Sequence, residues 1–327
     1  MTDLKQKILT AVREDLAAIE QALSDNLNPH FELVRQVAGH LLFAGGKRLR
    51  PLLMMLAARL CGYAQNKPGA DYSVIFEYLH AATLLHDDVV DGGQLRRGQT
   101  AAHHVWDPPT AVLTGDFLLA RSLSLAARTG LPAVISVIAG ITEQMSQGEI
   151  RQLAHKGDLA LTEEIYLDVI RCKTAVLFQG ACRVGALISG APEPQEQALD
   201  AYGFHLGMAF QMADDLLDYT QESAALGKVA GADLREGKLT LPVIHALRAA
   251  TGADKQWMTA LIQGRNFTPA DFDGLVALLA RYGGIAHTRD CAADHIRRAK
   301  AALGAFGPSA ACDLLHDIAD YAWARAS

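Results

Sequence analysis

The stretch Leu84–Gly93, LLHDDVVDGG, closes an apolar helical run with three carboxylates and two glycines. Acids are unfavourable there, because the last carbonyls of a helix already carry partial negative charge, and each acid costs about 0.3–1 kcal/mol. Like charges four residues apart add a small repulsion. A cation is therefore expected against Asp87, Asp88 and Asp91. The pattern recurs at Asp214-Asp215-Leu216-Leu217-Asp218, again at the end of an apolar run. Positions four apart share a helix face, with Cβ atoms ~5–6 Å apart. Two such carboxylates can hold one hard cation, or one each of a close pair. Mg²⁺ suits them, since it takes a few carboxylates together with water and phosphate oxygens. One such motif arises by chance in roughly one chain in eight of this aspartate content, and two in on the order of one in a hundred. A solvated acidic helix face therefore accounts for either copy alone better than for both.

Working outward, periodicity and breakers predict an all-α chain of about a dozen helices. The predicted spans are 3–23, 31–40, a helix ending near Gly62, 71–91, 110–128, 132–155, 162–188 and 193–219. QNKPGAD and RRGQTAAHHVWDPP read as loops, and shorter helices follow Thr240. Thr268, Pro269 and Asp271 mark one clear helix start. No repeat or linker interrupts the 327 residues, so residues 1–327 are expected to form one bundle-like domain whose apolar helices cover one another. A net charge of −6 argues against a nucleic-acid partner. The five cysteines, without a CxxC pair, read as reduced thiols of a cytoplasmic protein. The charged amphipathic start is unlike a signal peptide. The apolar run around LPAVISVIAGI is shorter than the ~20 residues that span a bilayer, so a soluble protein is expected.

Cations follow each acidic motif. Arg96 and Arg97 come five and six residues after Asp91, and Lys228 and Lys238 follow Asp218. GGKRLRP places Lys47, Arg48 and Arg50 behind two glycines, a turn suited to a phosphate and equally to bulk water. Lys173 and Thr174 interrupt an apolar helix, Gln211 precedes Asp214 by three residues, and His80 shares a face with Asp87. A buried lysine needs a partner, whereas a surface lysine with a snorkelling stem does not. His80 read alone is a satisfied core histidine.

Taken in order, GGKRLRP, LLHDDVVD, LRRG, GDFLLAR, CKTA, FQMADDLLDY and GKVAGADLREGKLTLP resemble the trans-isoprenyl diphosphate synthase family, nearest to bacterial octaprenyl and other long-chain polyprenyl members. The resemblance implies antiparallel helices around a deep apolar cavity, a homodimer, and peripheral membrane contact for product release. It implies Mg²⁺ held by Asp87, Asp91 and Asp214, supported by Asp88, Asp215 and Asp218. Lys47, Arg50, His80 and Arg97 would hold the diphosphate of isopentenyl diphosphate. Arg96, Lys173, Lys228 and Lys238 would hold the allylic diphosphate, with Thr174 and Gln211 facing the developing carbocation. In this family bulky aromatics four and five residues before the first motif cap the pocket. Here Thr83 and Ala82 are small, and Leu79 and Phe76 become candidate floor residues, so a long product, octaprenyl diphosphate, is expected, with a shorter geranylgeranyl product as the alternative, and Ala82→Phe should shorten it. Gly92-Gly93 and the His103-His104 loop depart from the family pattern. A terpene cyclase would lack GGKR and carry a different second motif. A non-catalytic partner subunit would lack intact acidic motifs.

Overall fold

The computed structural model describes residues 2–64, 66–220, 231–264 and 266–324, and among these it is helical apart from one short hairpin. The chain begins with α1 (Thr2–Ala11) and α2 (Arg13–Asn26), then α3 (Glu32–Leu42), α4 (Leu49–Leu60) and α5 (Asn66–Asp91). β1 (Leu95–Arg96) pairs antiparallel with β2 (Gln99–Thr100). Next come α6 (Ala102–Val105), α7 (Pro108–Arg128), α8 (Pro132–Ala154), α9 (Glu163–Ile170), a π-helical turn (Arg171–Ala175), α10 (Val176–Ile188) and α11 (Glu193–Thr220). The remaining helices are α12 (Ala232–Arg235), α13 (Leu241–Ala249), α14 (Gly252–Gly264), α15 (Pro269–Arg281), α16 (Gly284–Ala302) and α17 (Ala310–Ala324).

Three boundaries differ from the sequence reading for local reasons. The first helix divides at Val12, although the backbone bonds Val12 to Ile8 and Leu16 to Val12 keep the two pieces continuous. Helix α5 begins at Asn66, inside the stretch expected to be a loop. Pro68 then lies in the first turn, where a missing N–H costs nothing. The span 162–188 is not one α-helix, because the π turn at 171–175 inserts a residue. Such turns shift the side-chain register and are frequent at functional sites. The Thr268 start is as expected: Thr268 and Asp271 exchange hydrogen bonds in a capping box.

Packing runs from α4 to α5, α7, α8 and α10 and back to α4, enclosing an apolar core that includes Leu53, Ile75, Phe76, Leu118, Ile138 and Phe178. α11 lies along α10 and α16, and a second core joins α9, α11, α13, α15 and α16 through Met212, Leu241, Leu275 and Leu279. Helix α7, 21 residues, is long and apolar enough by length and composition to cross a membrane, although Asp116 and Arg121 interrupt its apolar run. A core helix passes the same test, and α7 packs along α5. All five cysteines are free.

One ion-pair group anchors the start of α4. Arg48, 3% exposed and with φ of 47°, donates to Glu20 at 2.6 Å, to Glu77 at 2.7 Å and to the Leu42 carbonyl at 2.6 Å. Left-handed backbone in a branched-free but bulky residue costs about 1–2 kcal/mol. Three charge-assisted bonds offset that cost.

Candidate active site

The acids that end α5 are matched by the cations expected of them. Lys238 Nζ donates to Asp91 at 2.7 Å and Lys156 Nζ at 3.2 Å. Burial alone would push Asp91 up, but those two lysines hold it below the usual carboxylate range. Arg96 donates to Asp88 through Nε at 2.9 Å and Nη2 at 2.5 Å. Asp88 is 2% exposed, so it anchors Arg96 rather than facing open space. Lys173 Nζ lies 3.7 Å from Asp87 and pairs with Glu149. Burial raises Asp87 above its ordinary range, with Glu149 and Asp91 adding to it and Lys173 and Lys238 opposing it. Asp87 is thus a carboxylate short of positive charge.

The second motif ends α11 and lines a cleft shared with the lysines that pair with the first. Asp214, Asp215 and Asp218 line it together with Lys47, Lys156, Lys173, Thr174, Gln211, Asp233 and Lys238, around a volume of about 420 Å³. Both oxygens of Asp215 are taken, one by the Tyr166 hydroxyl at 2.6 Å and one by Gln211 Nε2 at 2.7 Å. Burial raises its pKa, Asp233 and Asp214 add to the rise, and the two hydrogen bonds oppose it. Thr174 donates to Gln211 Oε1 at 2.8 Å, so Thr174, Gln211 and Asp215 form one chain. Asp218 accepts from the backbone N–H groups of Ala232 and Asp233 at 3.3 Å, which fixes the start of α12.

The π turn delivers Lys173 and Thr174 to this cleft. It approaches α8 so closely that a Cβ on Gly148 would stand 2.7 Å from Cys172 Cβ. Glycine there lets the neighbouring Glu149 reach Lys173. Sequence reasoning missed Glu149, Lys156, Tyr166 and Asp233. Each lies in an ordinary-looking helix or loop, and only the tertiary packing brings it to the motifs.

A basic corner sits behind the cleft. Arg97, at φ 53°, donates to the Leu41 carbonyl at 3.2 Å and to the Gly45 carbonyl. Gly46, at φ 156°, passes so close that a Cβ would stand 3.2 Å from Arg97 Nη1. Arg50 lies 4.8 Å from the Phe178 ring centre, with its buried Nε unsatisfied, and Lys47 lies 5.9 Å from that of Phe210. Burial pushes Arg50 down to about 10, partly opposed by Glu77. Burial and then Arg50, Arg97, Arg96 and Arg48 push His80 well below the usual histidine range, so it is a neutral imidazole among guanidinium groups.

Other sequence-selected residues fall elsewhere. Phe76, Leu79 and Ala82 are buried in the core around α5 and do not line the cleft described above. Thr83, half-buried, stands one turn below Asp87 and bonds the His80 carbonyl at 2.9 Å. Lys228 lies outside the described residues. The rings of His103 and His104 lie 4.0 Å apart with planes tilted by 42°, and Asp88 of the first motif acts electrostatically on His103.

The donor set fits a hard divalent cation. Carboxylates stand at two helix ends, and the lysines that line the cleft with Asp214, Asp215 and Asp218 neutralise Asp87 and Asp91 where an ion would otherwise do so. Burial of Asp87 favours such an ion further.

A helical bundle with paired acidic helix ends, cations between them and apolar walls is the arrangement of an enzyme that ionises a diphosphate. Residues 31–279 match the polyprenyl synthetase family. An all-trans-nonaprenyl-diphosphate synthase (geranyl-diphosphate specific) of Rhodobacter capsulatus is 38% identical over 92% of both chains. The octaprenyl diphosphate synthase of Escherichia coli K12 is 36% identical over 91% of this chain and 92% of its own. A crystal structure of a Caulobacter crescentus polyprenyl synthase, complexed with calcium and isoprenyl diphosphate, superposes with a TM-score of 0.91 at 39% identity over 98% of each chain. The chain belongs to the polyprenyl synthetase family and is a trans-polyprenyl diphosphate synthase, a prenyltransferase.

Proposed function

We propose that the chain condenses an allylic diphosphate, farnesyl diphosphate, with successive isopentenyl diphosphates in the presence of Mg²⁺. The product is a long all-trans polyprenyl diphosphate, octaprenyl diphosphate, destined for quinone side chains. The observation that carries this reading is that the second acidic motif lines a cleft with Lys156, Lys173 and Lys238, and these same lysines pair with Asp91 and Asp87 of the first motif. The same reading takes residues 1–327 as one domain and the protein as a cytoplasmic homodimer that touches membrane only to release product. Asp87, Asp91 and Asp214 would hold Mg²⁺, which would supply positive charge to the departing diphosphate. Arg96, Lys156, Lys173 and Lys238 supply the rest from fixed positions, and Lys228 belongs with them by its place in the sequence. Preorganised charge of this kind needs no rearrangement when the carbon–oxygen bond breaks.

Thr174 and Gln211 orient their oxygens through the chain to Asp215, which steadies the cationic carbon after ionisation. Leu161, Val169, Ile170, Leu217 and Leu239 line the cleft and exclude water, which would otherwise capture the cation. Lys47, Arg50, Arg97 and neutral His80 hold the second diphosphate. The alkene it carries attacks the cation, and loss of a proton to the departed diphosphate completes a chain five carbons longer.

The test is incubation of the purified chain with farnesyl diphosphate, labelled isopentenyl diphosphate and Mg²⁺. Elongation to long products supports the reading. Farnesyl consumption without the second substrate would make it a cyclase, and inertness a partner subunit. Product length supplies a further prediction. Ala82 is fully packed, and overfilling such a site costs about 1–3 kcal/mol, so Ala82→Phe confounds length with stability. Thr83→Phe, one turn below Asp87, is the cleaner probe. It is expected to shift the chromatographic profile toward shorter chains, and an unchanged profile would remove Thr83 from the pocket wall.

A further inference from the structure

On the flank of the second core, three helices bring together a histidine pair, a glutamate and a thiol that the prenyl-transfer site does not use. His287 Nε2 on α16 lies 3.0 Å from Glu163 Oε1 on α9. His245 of α13 stacks on His287, ring centres 4.1 Å apart and planes 23° from parallel. One ligand atom from each of the three lies within 4.8 Å of the others. Cys291, one helical turn beyond His287, has its Sγ 3.7 Å from His287 Nε2.

The Glu163–His287 bond alone does not account for His245 and Cys291. Two imidazoles stacked face to face form no hydrogen bond with each other, and a proton on one repels a proton on the other. Nitrogen, oxygen and sulfur donors in this ratio suit Zn²⁺ and its neighbours, whereas Mg²⁺ takes oxygen donors. We propose that Glu163, His245 and His287, with Cys291 as fourth donor, form a zinc-class transition-metal site that staples α9, α13 and α16 together. Ion binding replaces the Glu163–His287 hydrogen bond by coordination, moves the His287 ring proton from Nε2 to Nδ1, and releases the Cys291 thiol proton to solvent. The site is structural in its consequence. Tyr166, Val169 and Ile170, one and two turns along α9 from Glu163, line the catalytic cleft, and Thr240, just before α13, lines it too. The staple therefore fixes the outer wall of that cleft without touching substrate.

The experiment titrates the metal-stripped full chain with Co²⁺ and Zn²⁺ in a large excess of Mg²⁺, which occupies the aspartate motifs. The expected result is one Co²⁺ per chain with the intense visible bands of a tetrahedral ion and a sulfur-to-cobalt charge-transfer band. His245→Gln and His287→Gln are each expected to weaken Zn²⁺ binding by at least about 100-fold. Cys291→Ser, nearly isosteric, is expected to keep the fold and lose only the charge-transfer band, which keeps the test open if a histidine variant unfolds. In Mg²⁺ alone, prenyl transfer by Cys291→Ser should equal that of the unaltered chain. Binding abolished by excess Mg²⁺, binding indifferent to both histidine substitutions, or a cobalt spectrum without tetrahedral bands would overturn the proposal.

Discussion

Asp87→Asn is expected to cut prenyl transfer by about 10²–10³-fold, the loss that follows removal of one preorganised charge-stabilising group. The same substitution should leave the fold as stable as before. Burial already holds the Asp87 carboxyl above its ordinary range, so its charge is a cost to the folded state. Asparagine keeps the shape and removes that charge. Lys173 is not orphaned, because it keeps its pairing with Glu149. Activity and stability should therefore separate: incorporation of labelled isopentenyl diphosphate falls, while the urea midpoint stays put or rises slightly. A residue held for packing would show the reverse, with a lower midpoint and activity lost only in proportion to unfolded protein. This separation is the mark of a group kept against the interest of stability.

Arg48→Met is expected to do the opposite. Arg48 is 3% exposed, and its side chain pairs with Glu77, itself 4% exposed at the side chain. Removing one partner of a buried pair costs about 3–5 kcal/mol, because the other charge is left without compensation. Arg97 stands 3.6 Å from Glu77 and takes up part of the loss, which places the expected effect nearer the lower figure. The urea midpoint should drop, and pairing the change with Glu77→Gln should recover part of it, since the stranded charge is then gone. Activity per folded molecule should fall as well. Arg48 and Arg97 both frame the GGKR turn, and the loss of Arg48 lets that turn relax around Arg50 and Lys47. An unchanged midpoint would mean that the Glu20–Arg48–Glu77 group carries no net stabilisation.

These two residues also show what could be read in advance. The two aspartate motifs announced themselves because four-residue spacing on a helix end is energetically odd without a cation. The helices followed from apolar periodicity, and Thr268 from cap chemistry. Arg48 was legible only as one more positive charge in a basic turn. Its left-handed backbone and its burial between two glutamates depend on contacts 28 and 29 residues away in sequence. The π turn was not legible either, because RCKTA carries no breaker, and its register shift comes from packing against Gly148 of α8. Asp88 and Asp215 are set apart as supporting residues by the family resemblance, and not by their spacing. Which face of the helix end they occupy decides that they anchor Arg96, Tyr166 and Gln211. The Glu163–His245–His287 group comes from three separate helices, and no local pattern joins them.

The central claim is that the two acidic helix ends act together, through divalent ions, on one diphosphate. The most direct measurement is calorimetric titration of the purified chain with a non-ionising farnesyl thiodiphosphate, in Mg²⁺ and in EDTA. Binding at least about 100-fold tighter in Mg²⁺ than in EDTA, and lost in both Asp87→Asn and Asp214→Asn, is the predicted result. Equal affinity in Mg²⁺ and EDTA, or affinity indifferent to one of the two substitutions, would contradict it.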